Sequence, residues 1–289
     1  MTARTEVASV DPETIARCDR NVMDGAWAMI ALGPRAHRRA WPGAVAVGNG
    51  LPSTVTNTLF VTTSTADAAA RLRSAREFFG RSTPWKVVVT ISDAVGPLRS
   101  AAEASGMIAG ELTPNLLLET IPPAPSPPVG LEIREVADRS DLIAFRRAAG
   151  LGFGIPRWLL RVAMPRVPRP TSGSRPVPRL FVGRVGGQPV ASAALYSSEG
   201  IAGISFVATV PAARRRGYGA ALTWAALEAG RLAGDRVGFL QATKMGRPVY
   251  EAMGFRWATN YAEWSAGVSG ARQFPGLLRT LWYGVTIWS

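Results

Sequence analysis

The residues whose types and spacing could do chemistry lie between Ile204 and Ala220, which read ISFVATVPAARRRGYGA. Ile204 to Val210 is an apolar, β-branched run with the character of a buried strand. Pro211 ends it, because proline cannot donate to a sheet ladder. Arg214, Arg215, Arg216, Gly217, Tyr218 and Gly219 follow, and Ala220 to Gly230, rich in Ala and Leu, reads as a helix. A helix start presents unpaired N–H groups and the positive end of the helix dipole. The backbone of Arg215 to Ala220 can therefore cradle an anion, and Gly217 and Gly219 let it approach closely where a Cβ would intrude.

Arg214-x-x-Gly217-x-Gly219, set between a strand and a helix, resembles the acyl-CoA loop of the GCN5-related N-acetyltransferases (GNAT). Tyr250-Glu251-Ala252-Met253-Gly254-Phe255 resembles that family's later Y-x-x-x-G-F segment, and the two pieces stand in the family's order. The resemblance covers roughly residues 130 to 266 and implies the acyl-CoA N-acyltransferase fold, a mixed α/β (α+β) sheet. It implies acetyl-CoA as cosubstrate and direct acetyl transfer to a primary amine of a small molecule or a protein. The strand edge at Phe206, Val207, Ala208, Thr209 and Val210 would pair its main chain with the pantetheine arm, one N–H polarising the thioester carbonyl. The loop from Arg214 to Ala220 would hold the pyrophosphate, and the Tyr250 phenol would give a proton to the departing thiolate. The plainer reading of Tyr250 is a core tyrosine on a short helix.

Thr243 and Arg247 could contact the cofactor, or serve as a cap and a surface charge. Many members of the family carry a carboxylate base on the central strand. Ile204 to Val210 has none, and neither Glu199 nor Glu263 has a spacing that compels the role. This leaves a non-catalytic acyl-CoA-binding or regulatory protein as the rival reading, because fold does not set function.

Around these residues the 289-residue chain is long enough for two domains, and its 47% apolar and 18% charged content describes a globular protein. One cysteine, Cys18, and one histidine, His37, exclude an internal disulfide, a cysteine zinc cluster and a His-rich metal site. The N-terminus lacks a secretory pattern and no apolar run reaches transmembrane length, from which a cytoplasmic protein is expected. The excess of 33 basic over 20 acidic residues favours anionic partners. No acidic residue occurs between Asp141 and Glu199, where nine arginines stand unopposed. Those from Arg157 to Arg184 could line the path of an acidic substrate or hold the CoA 3′-phosphate; a solvated basic surface is the plainer reading. They are not interleaved with aromatics and no reader motif occurs, which argues against nucleic acid.

Residues 1–120 read as strand (Val55–Thr63), helix (Asp67–Phe79, with Ser64 or Thr65 as caps), strand (Trp85–Ile91), helix (Leu98–Ser105) and strand (Leu112–Glu119). This order echoes the acetyltransferase half, and a smaller, degenerate GNAT-like α/β domain is expected there. Ile121 to Val129, IPPAPSPPV, is a proline-stiffened linker and the expected domain boundary. Residues 130–266 form the second domain, with helices over 138–149 and 156–164, a loop over 165–178, a hairpin about Gly186-Gly187 and a final strand pair within 255–264. The aromatic tail, 267–289, reads as a packed segment, or as a membrane-surface or oligomer contact.

Overall fold

Asp11 accepts a hydrogen bond from the Thr14 N–H at 3.0 Å and Pro12 opens the first turn, so a helix, α1 (Pro12–Ile30), stands where sequence analysis placed no element. The computed structural model describes residues 10–63, 67–90, 92–170 and 176–267. The first half continues with β1 (His37–Trp41), β2 (Ala44–Gly48), β3 (Thr58–Val61), α2 (Ala68–Phe79), β4 (Trp85–Val89), α3 (Ser92–Ala104), the two-residue β5 (Ile108–Ala109) and β6 (Thr113–Leu118). Asp67 caps α2 by accepting from the Ala70 N–H at 2.7 Å. The expected caps Ser64 and Thr65 lie outside the described residues.

The second half contains β7 (Glu132–Glu135), α4 (Arg139–Phe153), α5 (Arg157–Ala163), β8 (Arg179–Val185), β9 (Gln188–Ser198) and β10 (Ile201–Thr209). It ends with α6 (Tyr218–Leu232), β11 (Val237–Gln241), α7 (Arg247–Ala252) and β12 (Arg256–Ala266). The expected final strand pair is one long strand, β12, bent by a register shift between Trp257 and Thr259. The aromatic tail from residue 268 onward, and residues 171–175 of the expected loop, lie outside the described residues.

The strands form one mixed sheet in the order β1-β2-β3-β4-β12-β6-β11-β10-β9-β8-β7, with β5 against β12. Two pairs are parallel, β3 with β4 across α2 and β10 with β11 across α6. Each pair is followed by a helix and a closing strand, and the closing strands cross over. β6 of the first half lies antiparallel between β11 and β12, while β12 of the second half pairs with β4. The linker at 121–129 therefore does not divide the sheet: Leu116 and Leu117, buried on both faces of a central strand, complete the second half's layer.

Ala194 and Leu195 are successive residues of β9 and point to opposite faces. Ala194 packs with Leu142, Phe145 and Leu160 of α4 and α5, and Leu195 packs with Leu222, Ala226 and Leu227 of α6. α4 and α6 thus cover opposite sides of the sheet. α1 bridges the halves: Cys18 and Ile30 share a core with Phe60 and Val88 of the first half and Leu117, Phe239 and Tyr261 at the crossover. The Tyr261 hydroxyl donates to buried Asp19, and the Asn21 amide donates to the carbonyls of Tyr196 and Ile201 at 3.0 and 3.1 Å.

Candidate active site

β10 and β11 part company partway along. Their parallel pairing runs from Ile201 against Val237 to Ile204 against Leu240 and stops there, although β10 continues to Thr209. On its other side β10 stays paired with β9, past a register shift between Ser205 and Ala208. Phe206 makes this bulge, with a φ of +51°, and its carbonyl accepts from the Ser192 hydroxyl at 2.9 Å. Its ring packs between Phe145 and Phe153 of α4, at centroid distances of 6.3 and 6.2 Å. The result is an open strand edge over Ser205 to Val210, including Val207, Ala208, Thr209 and Val210, on the side facing β11. Backbone donors and acceptors on such an edge can pair with an extended ligand. Ser205, which sequence analysis left out, is exposed at the point of divergence.

Val210 is tied to Val190 by a 2.8 Å backbone bond, and Pro211–Ala213 then form a single 3₁₀ turn. Arg215 and Gly217 both have left-handed backbone, with φ of +62° and +77°, which turns the chain sharply into α6. Such a conformation is unstrained for Gly217, its N-cap. No side chain caps α6, which leaves the N–H groups of its first turn, Tyr218, Gly219 and Ala220, available to a ligand. A Cβ on Gly219 would stand 3.2 Å from Thr209 Oγ1 and 4.0 Å from Val207 Cγ1, so the helix start lies directly over the open edge. Uncapped amides, the dipole and a backbone cleared of side chain fit a pyrophosphate with an extended arm.

The side chains divide the work. Arg214 folds back, donating from Nε to the Thr209 carbonyl at 3.4 Å and from Nη2 to the Gly152 carbonyl at 3.2 Å. It clamps the loop, while Arg215 and Arg216 are exposed. Tyr218 is buried in the α6 core and offers its backbone alone.

Tyr250 on α7 is 8% exposed and shares the core beneath α6 with Tyr218 and Ala242. Burial pushes its phenol up to about 12, and the Thr223 hydroxyl of α6 acts in the opposite direction. Near neutral pH Tyr250 therefore keeps its proton, as an acid must and a base cannot. Thr223, whose hydroxyl acts on the Tyr250 phenol, donates to the Gly219 carbonyl of the loop at 3.0 Å. No residue spacing signals Thr223, since an interior threonine of a helix has many roles.

Thr243 accepts from the Gly246 N–H at 2.6 Å and its carbonyl accepts from the Arg247 N–H at 2.8 Å, so it organises the turn into α7. Arg247 pairs with Glu251 one turn on, at 2.7 Å on the exposed face. Glu199 sits in the β9–β10 turn, paired with Arg20 at 2.8 Å. At ~3.3 Å per residue it lies roughly 25 Å along the strand from Val207. Glu263 pairs with Lys86 at 2.7 Å on β12, three strands from β10. Neither carboxylate reaches the open edge.

Residues 159–255 match the model of the Acetyltransferase (GNAT) family. No curated protein matches the sequence. Among solved structures, a GCN5-related N-acetyltransferase from Kribbella flavida superposes with a TM-score of 0.67 at 19% identity, covering 89% of this chain and 97% of that one. An acetyltransferase of the GNAT family from Novosphingobium aromaticivorans gives 0.54 at 18%, over 86% and 96%. A tandem GNAT protein from the clavulanic acid biosynthesis pathway gives 0.51 at 13%, over 90% and 96%. These identities establish the fold, and the family match spans the open edge of β10, the uncapped start of α6 and Tyr250. Residues 159–255 are thus similar to the Acetyltransferase (GNAT) family, and the chain as a whole has the fold of these structures.

Proposed function

We propose that this protein transfers an acetyl group from acetyl-CoA directly to a primary amine of a small molecule or a protein. The observation that carries the reading is the coincidence of an unpaired β10 edge with the uncapped N-terminus of α6 directly above it. Acetyl-CoA, bound there, supplies an activated acyl group. Edge amides within residues 207–209 hold its arm and polarise the reacting carbonyl, as preorganised donors do, while the Val210 N–H is spent on the Val190 carbonyl. The N–H groups of residues 215–220 take the pyrophosphate. Tyr250, held protonated by burial, gives its proton to sulfur as the C–S bond breaks and the C–N bond forms. The amine's proton passes to water, because among the described residues neither Glu199 nor Glu263 stands at the edge, and the acceptor must reach the site as the free base.

That missing carboxylate favours a second reading, an acyl-CoA-binding protein without turnover. A thiol-release assay over a panel of amines separates the two. Amine-dependent release of free thiol from acetyl-CoA is the expected result; binding of acetyl-CoA with no release on any amine sinks the transferase reading and leaves the binder.

A further inference from the structure

The outer faces of α4 and α5 enclose a groove of about 830 Å³ lined by Arg139, Arg146, Arg147, Arg157 and Arg161. A cavity of this size takes a small organic molecule. Among the described residues none of the five is in an ion pair; the paired arginines are Arg20, Arg38, Arg179, Arg184, Arg231 and Arg247. The carboxylate within α4, Asp141, is turned away to Arg184 at 2.8 Å, and α5 has none. Arg146 is partly buried, with its Nε on the Leu142 carbonyl at 3.3 Å, and burial followed by Arg139 and Arg161 lowers its pKa. Gathering like charges without a counter-charge costs stability, and an anion relieves that cost.

The groove also has a flat apolar wall. Trp158 is 54% exposed and Ile143 48%, so the groove presents apolar surface beside its charges. Guanidinium forks match phosphate oxygens two at a time, and an indole face takes a ring or a methylene chain. Arg147 lines a second, smaller cavity of about 310 Å³ together with Ala213, Arg216 and Tyr218 of the cofactor loop. Arg147 is thus common to the arginine groove and to the cavity at the β10–α6 loop.

We propose that this groove is a binding site for a small, multiply charged organic anion bearing phosphate groups, sharing Arg147 with the cavity at the β10–α6 loop. Such phosphates come either from the nucleotide end of CoA or from an acidic acceptor; the acceptor case rests on the transferase reading above.

Calorimetric titration of the full chain with tripolyphosphate tests the site, comparing wild type with Arg146→Gln/Arg157→Gln/Arg161→Gln and, separately, with Arg161→Glu. Thermal melts confirm that each variant is folded. The variants keep whatever the β10–α6 loop binds, so the groove is the difference between titrations. The expected loss of affinity is about tenfold or more, since charge-assisted bonds to phosphate are removed. Parallel titrations with CoA and 3′-dephospho-CoA identify the source. If wild type prefers CoA and the triple variant does not, the groove holds the 3′-phosphate. If CoA affinity is unchanged while tripolyphosphate binding falls, it serves an acidic acceptor, and the thiol-release assay reports independently on transfer. Equal tripolyphosphate binding by wild type and variants overturns the proposal. Displacement of tripolyphosphate from the groove by single-stranded RNA at lower concentration also overturns it, in favour of a nucleic-acid surface.

Discussion

Arg214 donates from Nη2 to the Gly152 carbonyl at 3.2 Å, which ties the loop ahead of α6 to the C-terminal end of α4. The two helices cover opposite faces of the sheet, so this bond and its companion to the Thr209 carbonyl span the edge where the cofactor is proposed to lie. A charged donor on two backbone carbonyls fixes the loop without using any ligand charge. The position of the proposed anion cradle is thereby linked to the helix that carries the arginine groove.

Arg214→Ala should leave the fold intact and free the loop. Hydrogen bonds to charged groups are worth about 1.5–3 kcal/mol, so acetyl-CoA binding should weaken by roughly tenfold or more. Calorimetry on the variant checks this, and unchanged affinity would show that the loop holds its shape without the clamp.

Tyr250→Phe should lower kcat by about 10²-fold, the low end of general acid catalysis, while acetyl-CoA affinity changes little. With the phenol pushed up to about 12, its ionisation does not shape the rate between pH 6 and 10. The rate should instead rise with pH along the titration of the acceptor amine in both wild type and variant. A basic limb that Tyr250→Phe abolished would contradict the assignment of Tyr250 as a proton-holding acid.

Burial raises Asp19 to about 6, above its unfolded value, with Tyr261 and Thr90 acting in the opposite direction. The folded state therefore binds this proton more tightly, and its contribution to stability is present below about pH 4 and is lost as pH rises through 6. Asp19→Asn keeps an acceptor for the Tyr261 hydroxyl and removes the ionisation. Melting curves should show the variant gaining on wild type between pH 4 and pH 7, by up to about 3 kcal/mol. Parallel curves for the two proteins would mean that Asp19 does not titrate in this range.

A fragment beginning at residue 130 should not fold alone. It lacks β6, so β11 and β12 face each other across the vacant position of a strand whose Leu116 and Leu117 are fully or almost fully buried. Circular dichroism and gel filtration of residues 130–267 should report unfolded or aggregated chain, and adding residues 110–129 should restore order. A monomeric, cooperatively melting 130–267 fragment would contradict the crossover.

Much of the second half was legible in residues of special chemistry. Pro211, the arginine run and Gly217 mark the end of β10 and the turn into α6 because only certain backbones permit that geometry. Asp138 marks the start of α4, whose Asp141 N–H it accepts at 2.8 Å. The partner of β6 was not legible. Its Leu-rich run reads equally well as a strand of either half, and only the sheet shows that it crosses to β11. α1 went unread although Asp11 and Pro12 mark its start, because its polar face hides the residues that it buries. Thr243 was ambiguous between ligand and cap; its hydroxyl accepts from the Gly246 N–H. Glu199 and Glu263, the two carboxylates weighed from sequence as a base, are held by Arg20 and Lys86 from distant parts of the chain.

The claim that α6 begins in a CoA site is tested most directly by titrating acetyl-CoA into wild type and Gly217→Val. Valine at a φ of +77° is strained and fills the approach to the first-turn amides. The account predicts that wild type binds acetyl-CoA and that the folded variant binds it at least about a hundredfold more weakly. Equal affinity in the two proteins would contradict it.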